Sequence, residues 1–182
     1  MKIKELLDRY VNKENHERQL GRYWASDIHA IKKGYLKPSN FFKKKKIGER
    51  GVRMILVGEA MESQLQKIFE FNKVKSEYQN KYEIKIKDDI VLVVKPDFEF
   101  DNLVIETKFP FSPVIDEIPE RYLYQLEAEY RATNKDVYLG VLEIPFRLRL
   151  IKYKPMGFRW EETKNILIKF DEDLRQITSK NK

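Results

Sequence analysis

The chain has 182 residues, with 36 Lys and Arg against 29 Asp and Glu, a formal charge of +7, two His and no Cys. That length suits one domain with a real core. The missing Cys excludes disulfides, thiol catalysis, thiolate zinc sites and cysteine-ligated iron–sulfur clusters.

In chain order, Ile3, Leu6, Leu7, Tyr10 and Val11 recur at helical spacing and predict an amphipathic helix over 2–20. A signal-peptide core is missing from the first residues, and no apolar run reaches the roughly 20 residues of a membrane span, so we expect a cytoplasmic protein without a membrane partner. Ser26 and Asp27 read as a helix start, with Ile28, Ile31 and Tyr35 on one face and Pro38 as the stop. Lys43, Lys44, Lys45 and Lys46 form a basic run closed by Gly48 and Gly51. Such a run reads as a solvated loop or as a tracker of nucleic-acid phosphates. Lys32 and Lys33 suit the same two readings, and Trp24, Phe41 and Phe42 nearby suit either base stacking or a core.

Helical spacing resumes from Val57 through Met61, Leu65, Ile68 and Phe69. Residues 82–86 alternate as a strand, Asp88-Asp89 reads as a turn, and 90–94 (IVLVV) as a buried strand. A further strand is predicted at 102–109, making a central hairpin, and a helix at 119–134 with Leu123, Leu126 and Tyr130 inward. Strands at 136–144 and 147–153 suit a hairpin around Pro145, and Trp160 to Ile177 suits a last helix. The predicted fold class is α/β, with a small central mixed β-sheet flanked by helices. The expected division is a helical region (1–56), a core (57–155) and a C-terminal helix (156–182) within one domain.

Three charged residues break the apolar logic of the central strands. Asp97 follows Pro96 just after the buried run, and Glu106 and Lys108 sit two apart, so their side chains share one face with Val104. Charges at a core edge must pair or hold a cation. The chemistry that suits them is metal-assisted phosphodiester hydrolysis. Asp97 and Glu106 offer hard oxygen ligands to Mg²⁺ or Mn²⁺, the Thr107 carbonyl a third, and Lys108 a cation beside the attacked phosphate. A further ligand would come from the helix bearing GEAMES, as Glu62 or, three residues back, Glu59. The bland alternative is a salt-bridged surface hairpin. With two His and no Cys a zinc site is not expected, and His16 and His29 read as ordinary residues. There is no Gly-x-Ser-x-Gly turn and no P-loop.

Pro96-Asp97 and Glu106-Thr107-Lys108 together resemble the PD-(D/E)XK nuclease superfamily. The helix RYLYQLEAEY resembles the Gln-and-Tyr signature helix of its RecB-like branch, with Gln125 in place. ASDIHAIKKGYL resembles the segment where CRISPR-adaptation nucleases and related helicase–nucleases carry a first cluster cysteine. The resemblance spans roughly residues 24–155 and implies a restriction-endonuclease-like core. There are three departures. Glu62 stands where His is common, Tyr130 falls five rather than four residues after Gln125 (Tyr122 and Tyr124 are other possible substitutes), and the cluster cysteines are missing, so no iron–sulfur cluster is expected.

The resemblance implies a metal-dependent deoxyribonuclease acting on single-stranded or end-containing DNA. Gln125 would serve the site or the DNA, with Tyr130 and Lys43–Lys46 as further DNA contacts. CRISPR adaptation, antiviral defence, recombination and repair, or a mobile element would suit it, with CRISPR-adaptation or helicase proteins as partners. The alternative is a catalytically silent nucleic-acid-binding module of the same fold within a larger complex.

Overall fold

The computed structural model describes residues 18–43, 47–109, 117–143 and 147–180. The helix predicted over 2–20 lies almost wholly outside them, as do Lys44–Lys46 and the turn at Pro145. The chain is mixed α/β: two mixed sheets flanked by four helices. Strands are β1 (Arg22–Trp24), β2 (Glu77–Tyr78), β3 (Tyr82–Lys87), β4 (Ile90–Val94), β5 (Phe98–Glu99), β6 (Leu103–Lys108), β7 (Asp136–Glu143) and β8 (Arg147–Lys152). Helices are α1 (Ile28–Lys32), α2 (Glu49–Phe71), α3 (Glu120–Thr133) and α4 (Gly157–Lys180). No helix among the described residues is long and apolar enough to cross a membrane.

One sheet runs β1-β4-β3 and the other β2-β5-β6-β7-β8. The expected mixed β-structure flanked by helices is present, divided into two sheets, and the central hairpin is corrected: β4 and β6 do not pair. Pro96 lacks a ladder N–H, so the chain leaves β4 and begins again as β5, which pairs antiparallel with β6 (Phe98 opposite Ile105). β4 pairs instead with β3 and, in parallel, with β1. β1 enters through Gly21, whose φ of +76° and whose missing Cβ, which would lie 2.3 Å from the Asp89 carbonyl oxygen, leave room for glycine alone. α3 connects β6 to its parallel neighbour β7, and β7 and β8 form the expected antiparallel pair.

Two helix boundaries differ from expectation. α1 ends at Lys32, before the left-handed Gly34 (φ +70°), so Tyr35 projects into solvent at 75% exposure. α2 begins eight residues earlier than Val57, after Gly48. Only Val52 and Leu65 are buried on its 23 residues, which is why its apolar period is faint.

β6 is buried on both faces. Val104 packs with Leu126 of α3 and Val137, Leu139 and Val141 of β7, whereas Ile105 packs with Leu65 of α2 and Phe98 of β5. A third cluster joins Tyr23, Ile28, Leu92, Tyr124, Leu167 and Phe170 between the first sheet, α1, α3 and α4. Since α3 contributes to two of these clusters, it is enclosed on most sides. That position decides the state of its polar residues.

Candidate functional site

The packing of β6 brings the charged residues together. Alternation puts Glu106 and Lys108 on the Val104 face, toward α3, at the strand's C-terminal end. Glu106 is 2% exposed, and the Lys108 ammonium donates to its Oε1. The Lys108 side chain keeps about a quarter of its surface in solvent, with its Nζ 5.5 Å from the Tyr122 ring centre. Asp97 enters from the β4–β5 junction and is fixed by Thr107, whose backbone N–H and hydroxyl donate to Oδ2 at 2.7 and 2.6 Å. From α2, Glu62 accepts a hydrogen bond from the Tyr78 hydroxyl at 2.9 Å and a longer one from Gln79 Nε2 at 3.4 Å.

The electrostatics show one cluster. Burial first, then the Glu106 carboxylate, push the Asp97 pKa up to about 8, against the pull of Lys108. Burial likewise raises Glu62, with Glu106 adding to the shift and Tyr78, Lys108 and Gln79 opposing it. For Lys108, burial works against the charged ammonium, yet Glu106 and Asp97 outweigh it and hold its pKa above the ordinary value. Between the two helix glutamates, Glu62 is the one set against Glu106, Lys108 and Asp97. Glu59 lies near enough to act on Tyr78.

Gln125 is half-buried on α3, three residues after Tyr122 and four before Glu129. Both spacings put these residues on one helical face, the face that meets Lys108 and Glu106. Tyr130 instead packs against the apolar cluster of Val104 and Leu126, under the Arg131 guanidinium.

The basic and aromatic candidates near the first helix have partners within the chain. Lys32 pairs with Glu162 at 2.8 Å and Lys33 with Glu120 at 3.0 Å. Phe41 is a core residue against Tyr23 and Phe170, while Phe42 is half-exposed at its edge. Lys43 is exposed. Asp27 caps no helix by its side chain and accepts from Arg18 instead.

Sequence reasoning missed Tyr78, Gln79 and Glu129. Tyr78 and Gln79 come from a two-residue strand and its turn, with Gln79 in a left-handed conformation (φ +55°) and its N–H bonded to the Asp97 carbonyl at 3.1 Å. No periodicity marks such a segment. Glu129 is fully buried, and its signal was available: it occupies the position four residues after Gln125 where the signature helix has tyrosine.

The donor set suits a hard divalent cation. Asp97 and Glu106 are oxygen donors beside one another, and Glu106 Oε2 is buried with no N–H or hydroxyl donating to it. Among the described residues, no three His, Cys, Asp or Glu side chains already form a cage. The Lys108 ammonium occupies Glu106 Oε1 in this arrangement.

No protein-family model matches the chain, and no curated protein matches it. Solved structures do. The protein SSO0001 superposes with a TM-score of 0.69 at 15% identity, over 97% of this chain and 87% of its own. The alkaline exonuclease LHK-Exo from Laribacter hongkongensis gives 0.56 at 13% identity, over 89% of this chain and 94% of its own. Its complex with dAMP gives 0.60 at 11% identity over the same shares. At these identities the likeness is one of fold, and the fold is restriction-endonuclease-like, shared with an alkaline exonuclease.

Proposed function

We propose that the protein is a metal-dependent deoxyribonuclease of the PD-(D/E)XK type, of the RecB-like branch and without an iron–sulfur cluster. The observation that carries this reading is the convergence of Glu62, Asp97, Glu106 and Lys108 from α2, the β4–β5 junction and β6 into one electrostatically coupled cluster. A surface salt-bridged hairpin would not bury Glu106 to 2% exposure or leave one of its oxygens buried without an N–H or hydroxyl donor. DNA as substrate is supported by the fold shared with an exonuclease of which one structure holds dAMP, and single-stranded ends or flaps are what the RecB-like resemblance implies.

In this reading Asp97, Glu106, the Thr107 carbonyl and Glu62 would hold Mg²⁺ or Mn²⁺. When bound, the cation supplies Lewis acidity to the phosphate and lowers the pKa of a water. The chain's own residues do the rest. The Thr107 N–H and hydroxyl hold the Asp97 carboxylate in one orientation, a restraint outside the ligand set that preserves its geometry. Tyr78 and Gln79 restrain Glu62 in the same way. Lys108 stays charged and offers its ammonium to negative charge growing on the phosphate, while orienting the attacking water. Gln125 and Tyr122, on the α3 face above, steady the substrate strand.

The test is cleavage of end-labelled single-stranded and duplex DNA with Mg²⁺, Mn²⁺ or EDTA, with Lys108→Ala beside the wild type. Metal-dependent cleavage, lost in the variant, is the expected result, and the product ladder gives polarity. DNA binding without cleavage of any substrate would replace this reading by a silent binding module.

A further inference from the structure

The buried carboxyl group of Glu129 has no part in the proposed ligand set. It projects from α3 one turn beyond Gln125, is fully buried, and receives no hydrogen bond from an N–H or hydroxyl at either oxygen; the group within hydrogen-bonding reach is the carboxyl of Glu106. Its neighbour Glu127 shows how the same helix treats a structural carboxylate. Glu127 is equally buried, but accepts from the Tyr153 hydroxyl at 2.6 Å, Arg131 Nε at 2.8 Å and the Met156 N–H at 2.9 Å. Glu129 has no such set. Its surroundings are Glu106, Asp97 and Lys108, and Glu106 Oε2 is likewise buried with no N–H or hydroxyl donating to it.

Two carboxyl groups buried against each other cannot both ionise without cost, and an uncharged residue of similar size in place of Glu129 would remove that cost. Charge balance points the same way. Once Asp97, Glu106 and Glu129 have released their protons to bind a cation, Lys108 balances one of the three charges and a divalent cation the other two. We infer that Glu129 is a further residue of the cation site, an inner carboxylate behind Glu106 whose charge the bound divalent cation compensates. This rests on the proposed nuclease reading and goes beyond it, since the motif assigns that helical position to tyrosine.

The test is calorimetric titration of Mn²⁺ into the whole metal-free chain, with thermal unfolding of each protein beside it. Wild type, Glu129→Gln, Glu127→Gln and Asp97→Asn are compared. Glu129→Gln is expected to weaken Mn²⁺ binding at least about tenfold, the effect seen when a carboxylate outside the ligand shell is removed, with an unchanged or higher melting temperature of the metal-free protein. Glu127→Gln is expected to lower the melting temperature and keep the Mn²⁺ affinity. Should Glu129→Gln not fold, Glu129→Leu removes the same charge and the same comparison decides. Wild-type affinity in the Glu129 variant overturns the inference and leaves the nuclease reading standing. An equal loss in both glutamate variants overturns it too, because burial alone would then explain both. No Mn²⁺ binding by the wild type, or undiminished binding by Asp97→Asn, overturns the nuclease reading itself.

Discussion

Asp97 is held by two hydrogen bonds from Thr107 and yet stays hard to ionise, because burial and the Glu106 carboxylate outweigh what those donors supply. The consequence is a stability that depends on pH in a fixed direction. Its folded pKa of about 8 lies above the ordinary 3.8, so between those values the folded state holds a proton that the unfolded chain has released. Stability of the metal-free protein is therefore greatest on the acid side and falls as pH rises through that window. Glu62 and Glu129 are shifted in the same direction and add to the slope. Glu83, Glu120 and Glu162, lowered by their cationic partners, act in the opposite sense, but only nearer their ordinary pKa of 4.5. In EDTA, the melting temperature is expected to fall from about pH 5 to about pH 8, and Asp97→Asn to flatten the fall. A melting temperature that climbs across that range would contradict the arrangement. At this scale Asp97, Glu106 and Lys108 were legible because alternation along a strand is strict: two residues apart means one face. Glu129 was marked only by its place four residues after Gln125, and in a chain with 36% charged residues a glutamate on a helix otherwise reads as solvated.

A helix can keep its place through very few contacts, and α2 is such an element. It carries Glu62 to the site although only Val52 and Leu65 of its 23 residues are buried. Gly58 sits inside it, one turn before Glu62. Its φ is not in the left-handed region, and an added Cβ would meet only Phe109 Cδ2, at 3.7 Å, an ordinary contact. Glycine in a helix interior costs about 0.8–1 kcal/mol relative to alanine, and nothing here requires it. Gly58→Ala is expected to stabilise the protein by roughly that amount in urea unfolding, with Mn²⁺ affinity unchanged. A destabilised variant would mean that the helix deforms at Gly58 to seat Glu62. The elements readable in advance were those with a sustained pattern: β3, β4, β6, β7, β8, α3 and α4 lie within a few residues of expectation. β1, β2 and β5 span three, two and two residues, too few for any periodicity. They exist because neighbouring strands offer open edges. The division into two sheets follows from one of them, since β5 takes the place beside β6 that the hairpin reading assigned to β4.

Across the whole molecule, a chain with net charge +7 gathers the carboxyl groups of Glu62, Asp97, Glu106 and Glu129 in one place. The cluster lies where α2, β6 and α3 meet, and each approaches a different side of the C-terminal end of β6. Composition could report the positive balance but not this local inversion, which arises only from three-dimensional packing. The inversion makes cation binding and folding one linked equilibrium. A ligand held only by the folded state stabilises it by about 2.7 kcal/mol at one hundred times its dissociation constant. For a chain of this length that corresponds to a rise in melting temperature of about 5–10 °C. Binding also requires the carboxyl groups to release their protons, so the same Mn²⁺ concentration is expected to raise the melting temperature more at about pH 8 than at about pH 5, where Asp97 is still protonated. Thermal unfolding with and without Mn²⁺ at the two pH values measures the difference. Asp97→Asn, which cannot ionise there, is expected to show a much smaller rise with little pH dependence. Equal rises at both pH values in the wild type would place the cation away from Asp97, and with it the chemistry.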